Sequence, residues 1–323
     1  MQNLSAEQVE KALDYPSLIE ALKQAFQSEI TVPKRHHHDM PQPAGEKGEE
    51  RRDSTLLLMP AWEAGEATGV KLVTISPHNG ELDLPAIQGI YILFDGKTGI
   101  PRALVEAKTL TTKRTAAASA LAASYLARED SKKLLMVGTG ALAPELIQAH
   151  AAVRPIKTVA IWGRSPDKAR NLITELEQQF PALHFTVAEE LEDAVSEADI
   201  ISCATLSEVP LVHGDWLKPG QHLDLVGAYR PDMREADNQA ILTSRVFVDT
   251  REGATHEGGD VAIPLKEGVI GEGHILGDLF SLCRGEIRGR ESSTDITLFK
   301  SVGHALEDLT AAKLVVERCA EAS

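Results

Sequence analysis

A Gly138-x-Gly140-x-x-Ala143 turn follows the apolar run Lys133 to Val137 and opens a helix-favouring stretch. Those residue types suit a dinucleotide. Gly138 permits a tight turn, Gly140 lets the backbone approach a pyrophosphate, and the small Ala143 allows close packing of helix on strand, with Ala141 in the same cradle. The helix start then offers N–H donors and the positive end of its dipole. An NAD-binding chain of this kind ends its second strand with an acid that takes the ribose 2′-hydroxyl. Here the second apolar run ends in Gly163, Arg164 and Ser165, with Lys168 one helical turn further on. No acid is present to repel a 2′-phosphate, Arg164 can clamp one and stack on adenine, and Ser165 can donate to it. The expected cofactor is therefore NADPH rather than NADH, and Thr205, at the end of the fourth strand, is placed to touch its ribose.

A second residue is chemically out of place. Lys71 interrupts the apolar strand GVKLVTI, which is costly unless its ammonium meets an anion or water. By contrast His36, His37 and His38 are consecutive, so in an extended segment they cannot all face one ion, and no metal site is expected. His256, Glu257 and Asp260 fall in a Gly-rich segment, THEGGD, that reads as a loop beyond the last strand.

These residues need elements to hold them. Residues 5–29 have helical spacing, with Pro16 as a helix-start residue, and the polar stretch DMPQPAGEKGEERRD leads from them into a strand-rich block. That block contains STLLLMPAW, GVKLVTIS and a hairpin, AIQGIYILFDGKTGIPRALVEA. The Ala-rich stretch 109–130 predicts a helix running into the nucleotide motif. From residue 132 short apolar runs alternate with helical segments, the pattern of a parallel, doubly wound sheet. The tail LFKSVGHALEDLTAAKLVVERC reads as an amphipathic helix.

The chain of 323 residues, 43% hydrophobic and 25% charged, is long enough for two domains. With 33 basic and 48 acidic residues its net charge is −15, which argues against a nucleic-acid footprint or an anionic membrane surface as partner. The N-terminus lacks the regions of a signal peptide and no apolar run approaches a membrane span. Three cysteines at unrelated spacings read as reduced thiols, and the expected location is the cytoplasm.

The segments VKLVTISP, TKRTAAASALAA, VGTGALA, WGRSPDKA, LVGAYRPDMREAD, VFVDT and LFKSVGHALEDL, in that order along nearly the whole chain, resemble the ornithine cyclodeaminase and mu-crystallin family. The resemblance implies an α/β chain with a Rossmann-type doubly wound parallel sheet plus an α+β substrate and dimerisation domain. Residues 1–116 with 300–323 would form the latter and 117–299 the NADP-binding domain, in a homodimer. It also implies that Arg35, Lys71 and Arg114 hold a substrate carboxylate, with Lys71 and Arg114 as catalytic residues, and that Ser301 and His304 lie near the nicotinamide. Ser301 could equally cap the last helix. Arg52, in the charge run GEERRDS, is a rival of Arg35 and is read as a solvated loop residue. An anionic imino acid needs such a fork-shaped cation.

Three departures lead away from ornithine cyclodeaminase itself. Tyr229 stands where the family's cyclodeaminases carry an acid, Leu57 replaces another, and Gly163 replaces the cofactor acid. What remains suits NADPH-dependent reduction of a cyclic ketimine carboxylate, Δ1-pyrroline-2-carboxylate or Δ1-piperideine-2-carboxylate, to L-proline or L-pipecolate. The alternatives are an alanine-dehydrogenase-like amination of pyruvate, an ornithine cyclodeaminase, and a non-catalytic NADPH or small-ligand binding protein of mu-crystallin type.

Overall fold

A computed structural model of the chain describes residues 1–43 and 52–321. Residues 44–51, most of the polar stretch expected ahead of the strand block, lie outside them. Contacts divide the chain into two compact units, Met1–Arg114 with Ala305–Ser323, and Thr115–His304.

The first unit opens with β1 (Gln2–Leu4), α1 (Ala6–Ala12) and α2 (Tyr15–Gln27). The helical stretch expected over residues 5–29 is two helices, the second starting at Tyr15, beside the expected helix-start residue Pro16. Asp14 breaks it, because its carboxylate accepts the Ser17 amide at 3.0 Å and caps α2, with Pro16 in the first turn. There follow β2 (Ile30–Thr31), β3 (His36–Met40), β4 (Ser54–Glu63), β5 (Ala67–Ile75), β6 (Ile87–Asp95) and β7 (Pro101–Glu106). They form one sheet in the order β1-β7-β6-β5-β4-β2, with β3 also on β4. All pairs are antiparallel except β1 with β7.

Register decides which residues share a face. Met59 pairs with Lys71, Lys71 with Tyr91, and Tyr91 with Val105, so these four form one row across the sheet, and all are buried. Alternate residues such as Leu58, Leu72 and Ile90 form a row on the opposite face and are only half-buried.

α3 (Ala107–Leu126) runs from the first unit into the second. Its alanines, among them Ala116, Ala117, Ala120 and Ala123, are wholly buried, and their small side chains let a helix be enclosed on all sides. The second unit then alternates: β8 (Lys133–Val137), α4 (Leu142–Val153), β9 (Thr158–Trp162), α5 (Pro166–Gln179), β10 (His184–Val187), α6 (Leu191–Glu197), β11 (Ile200–Cys203) and β12 (His222–Leu225). It continues with α7 (Asn238–Thr243), β13 (Arg245–Val248), α8 (Arg251–His256), α9 (Gly259–Lys266), β14 (Ile275–Asp278), α10 (Leu279–Cys283) and β15 (Thr297–Lys300).

The eight strands are all parallel, in the order β10-β9-β8-β11-β12-β15-β13-β14. This is a Rossmann-type doubly wound sheet, with its switch point between β8 and β11. The last element, α11 (Ala305–Glu321), belongs to the first unit.

Two expectations need correction. THEGGD is not a loop: His256 ends α8, Asp260 lies in α9, and two further strands follow. Its glycines are dictated by crowding, since a Cβ on Gly259 would sit 2.0 Å from the Met233 carbonyl oxygen. The tail is not helical from its start either, because Thr297–Lys300 is the strand inserted between β12 and β13. By contacts the second unit runs from Thr115 to His304, beside the expected 117–299. Among the described residues no helix is long and apolar enough to cross a membrane, and no group of three or more His, Cys, Asp or Glu residues could hold a metal ion.

Candidate active site

Two clusters carry the chemistry, one in each unit. In the first, the strand that places Lys71 on the buried face of the sheet turns its ammonium toward α11. Lys71 Nζ lies 2.8 Å and 2.7 Å from the two carboxylate oxygens of Asp308, with only Oδ1 in hydrogen-bond alignment. Arg114, in α3, donates from Nε to the same Oδ1 at 2.8 Å and from Nη1 to Glu307 Oε2 at 2.7 Å. Thr111, one turn earlier in α3, brings its hydroxyl to 3.5 Å from Lys71 Nζ. Glu307 and Asp308 are fully buried, and Lys71 and Arg114 nearly so.

Buried charges persist only when paired, and the pairing shows in their titration. Burial pushes the Lys71 ammonium down, the positive charges of Arg114 and Arg35 add to that push, and Asp308 opposes it, leaving the group at about 8. Burial would also lower Arg114, but Asp308 and Glu307 outweigh it and hold the guanidinium above its ordinary value. Burial opposes ionisation of Asp308 as well, yet Arg114 and Lys71 keep its carboxyl below the usual range. The cluster is thus a buried pair of cations on a pair of carboxylates.

Arg35, half-buried between β2 and β3, is near enough for its charge to weigh on Lys71. Its rival Arg52 is exposed. Leu57, where an acid is missing, pairs with Val73 on the same sheet face as Lys71. Sequence reading missed Glu307, Asp308 and Tyr91. The available signal was a pair of adjacent acids, LEDL, in a helix rich in Leu and Ala. Tyr91 lies beside Lys71 in register, its phenol is buried without a hydrogen-bond partner among the described residues, and Gly69 makes room for it, since a Cβ there would meet the hydroxyl at 2.0 Å. Burial, with Asp308 adding to it, raises that phenol well above its ordinary value.

In the second unit the fingerprint turn sits at the switch point. Gly138 adopts φ +123°, and a Cβ on it would lie 2.6 Å from the Ala204 carbonyl oxygen, so both backbone and space demand glycine. Gly140 is different: a Cβ there would meet no protein atom within 4 Å. Nothing in the fold requires that glycine, which leaves room for a ligand to approach the backbone. Ala141 precedes α4 without any side-chain cap on the helix, although the Ala143 amide donates to the Gly140 carbonyl at 3.0 Å, and Ala143 is fully buried against the sheet.

At the end of β9, Gly163 has an internal reason, since a Cβ would come within 2.9 Å of Thr139 Cγ2. Arg164 and Lys168 are exposed, and neither side chain pairs with another among the described residues. Ser165 caps α5 by position without using its hydroxyl. Three donors therefore stand uncommitted where a ribose 2′-substituent would fall. The residues fit a dinucleotide.

Thr205 and Ser301 behave otherwise. The Thr205 hydroxyl donates to Glu235 Oε1 at 2.8 Å. The Ser301 hydroxyl donates to Asp249 Oδ2 at 3.3 Å and does not cap α11, whose first residue is Ala305. His304 packs edge-on against the Phe280 ring at 5.9 Å, and Tyr229 is half-buried after β12.

Comparison with known proteins accords with this geometry. A Δ1-pyrroline-2-carboxylate reductase of Colwellia psychrerythraea is 40% identical over 322 residues, 99% of this chain and 100% of that protein. The Thermococcus litoralis Δ1-pyrroline-2-carboxylate reductase, solved in complex with NADH and L-proline, superposes with a TM-score of 0.90 at 36% identity, over 100% of this chain and 98% of that one. An archaeal alanine dehydrogenase dimer with bound NAD gives a TM-score of 0.89 at 28% identity, over 100% and 97%. Residues 2–323 match the model of one family, and on that match the chain belongs to the ornithine cyclodeaminase/mu-crystallin family.

Proposed function

We propose that this protein reduces a cyclic ketimine carboxylate, Δ1-pyrroline-2-carboxylate or Δ1-piperideine-2-carboxylate, to L-proline or L-pipecolate, with NADPH as the hydride source. The observation that carries this reading is the convergence of Lys71 and Arg114 on one carboxylate in a buried cluster. Chains similar to this one across nearly their whole length bear the name of that reductase.

Each group has a task. Arg114, kept protonated by its neighbours, presents its guanidinium to the substrate carboxylate, and Lys71 supplies a second donor. Arg35 adds positive potential from the neighbouring loop. Together they fix the plane of the imine, so that one face is presented for attack. The nicotinamide supplies a hydride when bound. Lys71, held near neutrality by burial, is the residue suited to give a proton to the imine nitrogen or to hold it there. In the second unit Gly138, Gly140, Ala141 and Ala143 would seat the pyrophosphate, and Arg164, Ser165 and Lys168 the 2′-phosphate, which favours NADPH over NADH.

The partner we propose is a second copy of the chain. Leu58, Leu72 and Ile90, and beside them Val70, Ile92 and Phe94, form apolar rows on the outer face of the first unit's sheet and stay half-buried there. Such a face is an association surface rather than a solvated one.

The test is isotopic. NADPH carrying deuterium at the transferable position is incubated with each imine, and the product is analysed by chiral chromatography and mass spectrometry. L-proline or L-pipecolate deuterated at Cα supports the reading. Deuterium appearing only in alanine, from pyruvate plus ammonium, would transfer the assignment to an amino-acid dehydrogenase.

A further inference from the structure

Glu235 has no part in the chemistry above, yet it is fully buried. Two segments leave the carboxyl ends of adjacent parallel strands beside it, 204–207 after β11 and 226–228 after β12. One oxygen of the Glu235 carboxylate accepts the Thr205 amide at 2.6 Å and the Thr205 hydroxyl at 2.8 Å. The other accepts the Gly227 amide at 2.7 Å and the Ala228 amide at 3.3 Å. A single side chain therefore closes four donors from two loops.

The packing leaves no slack. A Cβ on Gly227 would lie 2.0 Å from the Thr205 carbonyl oxygen and 2.2 Å from its nitrogen. The first loop also backs the fingerprint turn, because a Cβ on Gly138 would meet Ala204 O at 2.6 Å and Thr205 Cγ2 at 3.4 Å. Glu235 is in turn fixed from behind. Its own amide and that of Ala236 donate to Asp260 Oδ1 at 2.7 Å and 3.0 Å, and Lys300 Nζ lies 3.2 Å from Asp260 Oδ2. Burial and the neighbouring Asp260 push the Glu235 carboxyl above its ordinary value, while Lys300 and the Thr205 donors favour its charged form.

We propose that Glu235 is a positioning residue for the nicotinamide half of the cofactor, tying the loops after β11 and β12 into one rigid floor at the carboxyl ends of the strands. The inference rests on the dinucleotide-dependent reading above. In a doubly wound sheet the dinucleotide crosses the carboxyl ends of the strands at the switch point, and the strands beyond the fingerprint turn here are β11 and β12. An error of about 1 Å in presenting a reactive atom costs on the order of 10²-fold in rate. A carboxylate that fixes two loops is a direct means of avoiding that error.

The experiment uses Glu235→Gln in the full chain, which keeps the side-chain size but sets an amide NH2 against N–H donors. Two probes separate the halves of the cofactor: NADPH itself and adenosine 2′,5′-bisphosphate, which carries only the adenine half. The expected result is a kcat for imine reduction lower by about 10- to 100-fold, weakened NADPH binding, and unchanged binding of the bisphosphate. Thr205→Val, which removes the hydroxyl donor but keeps the backbone one, should show the same split with a smaller effect, and it serves if Glu235→Gln does not fold. Unchanged kcat and NADPH binding, or equal weakening of both probes, would overturn the inference. Wild-type protein that binds neither probe and does not bind NADH would instead overturn the dinucleotide reading, and this inference with it.

Discussion

Lys71 and Arg114 share one acceptor, Asp308 Oδ1, which lies 2.8 Å from Lys71 Nζ and 2.8 Å from Arg114 Nε. One carboxylate thus sets both the position and the charge of the proposed clamp. It holds the guanidinium charged, and it keeps the ammonium from falling as far as burial alone would take it.

The first prediction is a pH dependence. Lys71 is charged below about 8 and neutral above it, so kcat/KM for the imine should fall with a one-proton limb near pH 8. In Asp308→Asn the raising influence of the carboxylate is gone while Arg114 and Arg35 remain, so the limb should move to lower pH. A limb that stays in place in Asp308→Asn would separate it from Lys71. Stability has its own sign. Between about 8 and the ordinary 10.5 the unfolded chain binds the extra proton, so the Lys71 contribution to stability should rise with pH across that window.

Cofactor choice should follow Arg164. A charge-assisted contact of about 1.5–3 kcal/mol corresponds to roughly 10- to 100-fold in affinity. Arg164→Ser should therefore raise KM for NADPH by that factor and leave KM for NADH nearly unchanged. Equal effects on both cofactors would mean that Arg164 serves adenine and not the 2′-phosphate.

The buried pair in the second unit should be structural. Lys300 and Asp260 are both fully buried, 3.2 Å apart, and Lys300→Met leaves a carboxylate without its cation. The expected loss is about 3–5 kcal/mol of unfolding free energy, measured by urea titration. A loss below about 1 kcal/mol, the range of an exposed pair, would show that Asp260 finds compensation elsewhere.

Association should depend on the outer sheet face. Val70 sits in the centre of it, paired with Pro60 and Ile92, and Val70→Glu places a charge there. Light scattering should find a dimer for the wild type and a monomer for the variant. A wild type that is monomeric at all concentrations would remove this face as an interface.

Much of the second unit was legible because its signals are local. A glycine turn between an apolar run and a helix, followed by alternating runs, prescribes a doubly wound sheet whatever lies elsewhere. β15 was not legible, since four residues ending in a lysine resemble the start of the tail helix, and the groups that make a buried Lys300 tolerable, the Asp260 carboxylate and the Leu225 carbonyl, lie far back in the chain. In the first unit Lys71 announced itself as a charge in an apolar strand. Its partner did not, because Asp308 is 237 positions away and looks like the polar side of an amphipathic helix. Glu235 was hidden for a similar reason: three of its four donors are backbone groups, which leave no trace in side-chain types.

The most direct test is the rate of NADPH oxidation by the purified protein, with Δ1-pyrroline-2-carboxylate, with pyruvate plus ammonium, with L-ornithine and NAD in a separate arm, and with no acceptor. The account predicts rapid turnover of the cyclic imine, with NADPH preferred to NADH. Tight NADPH binding without turnover of any imine would contradict it and leave a ligand-binding protein in its place.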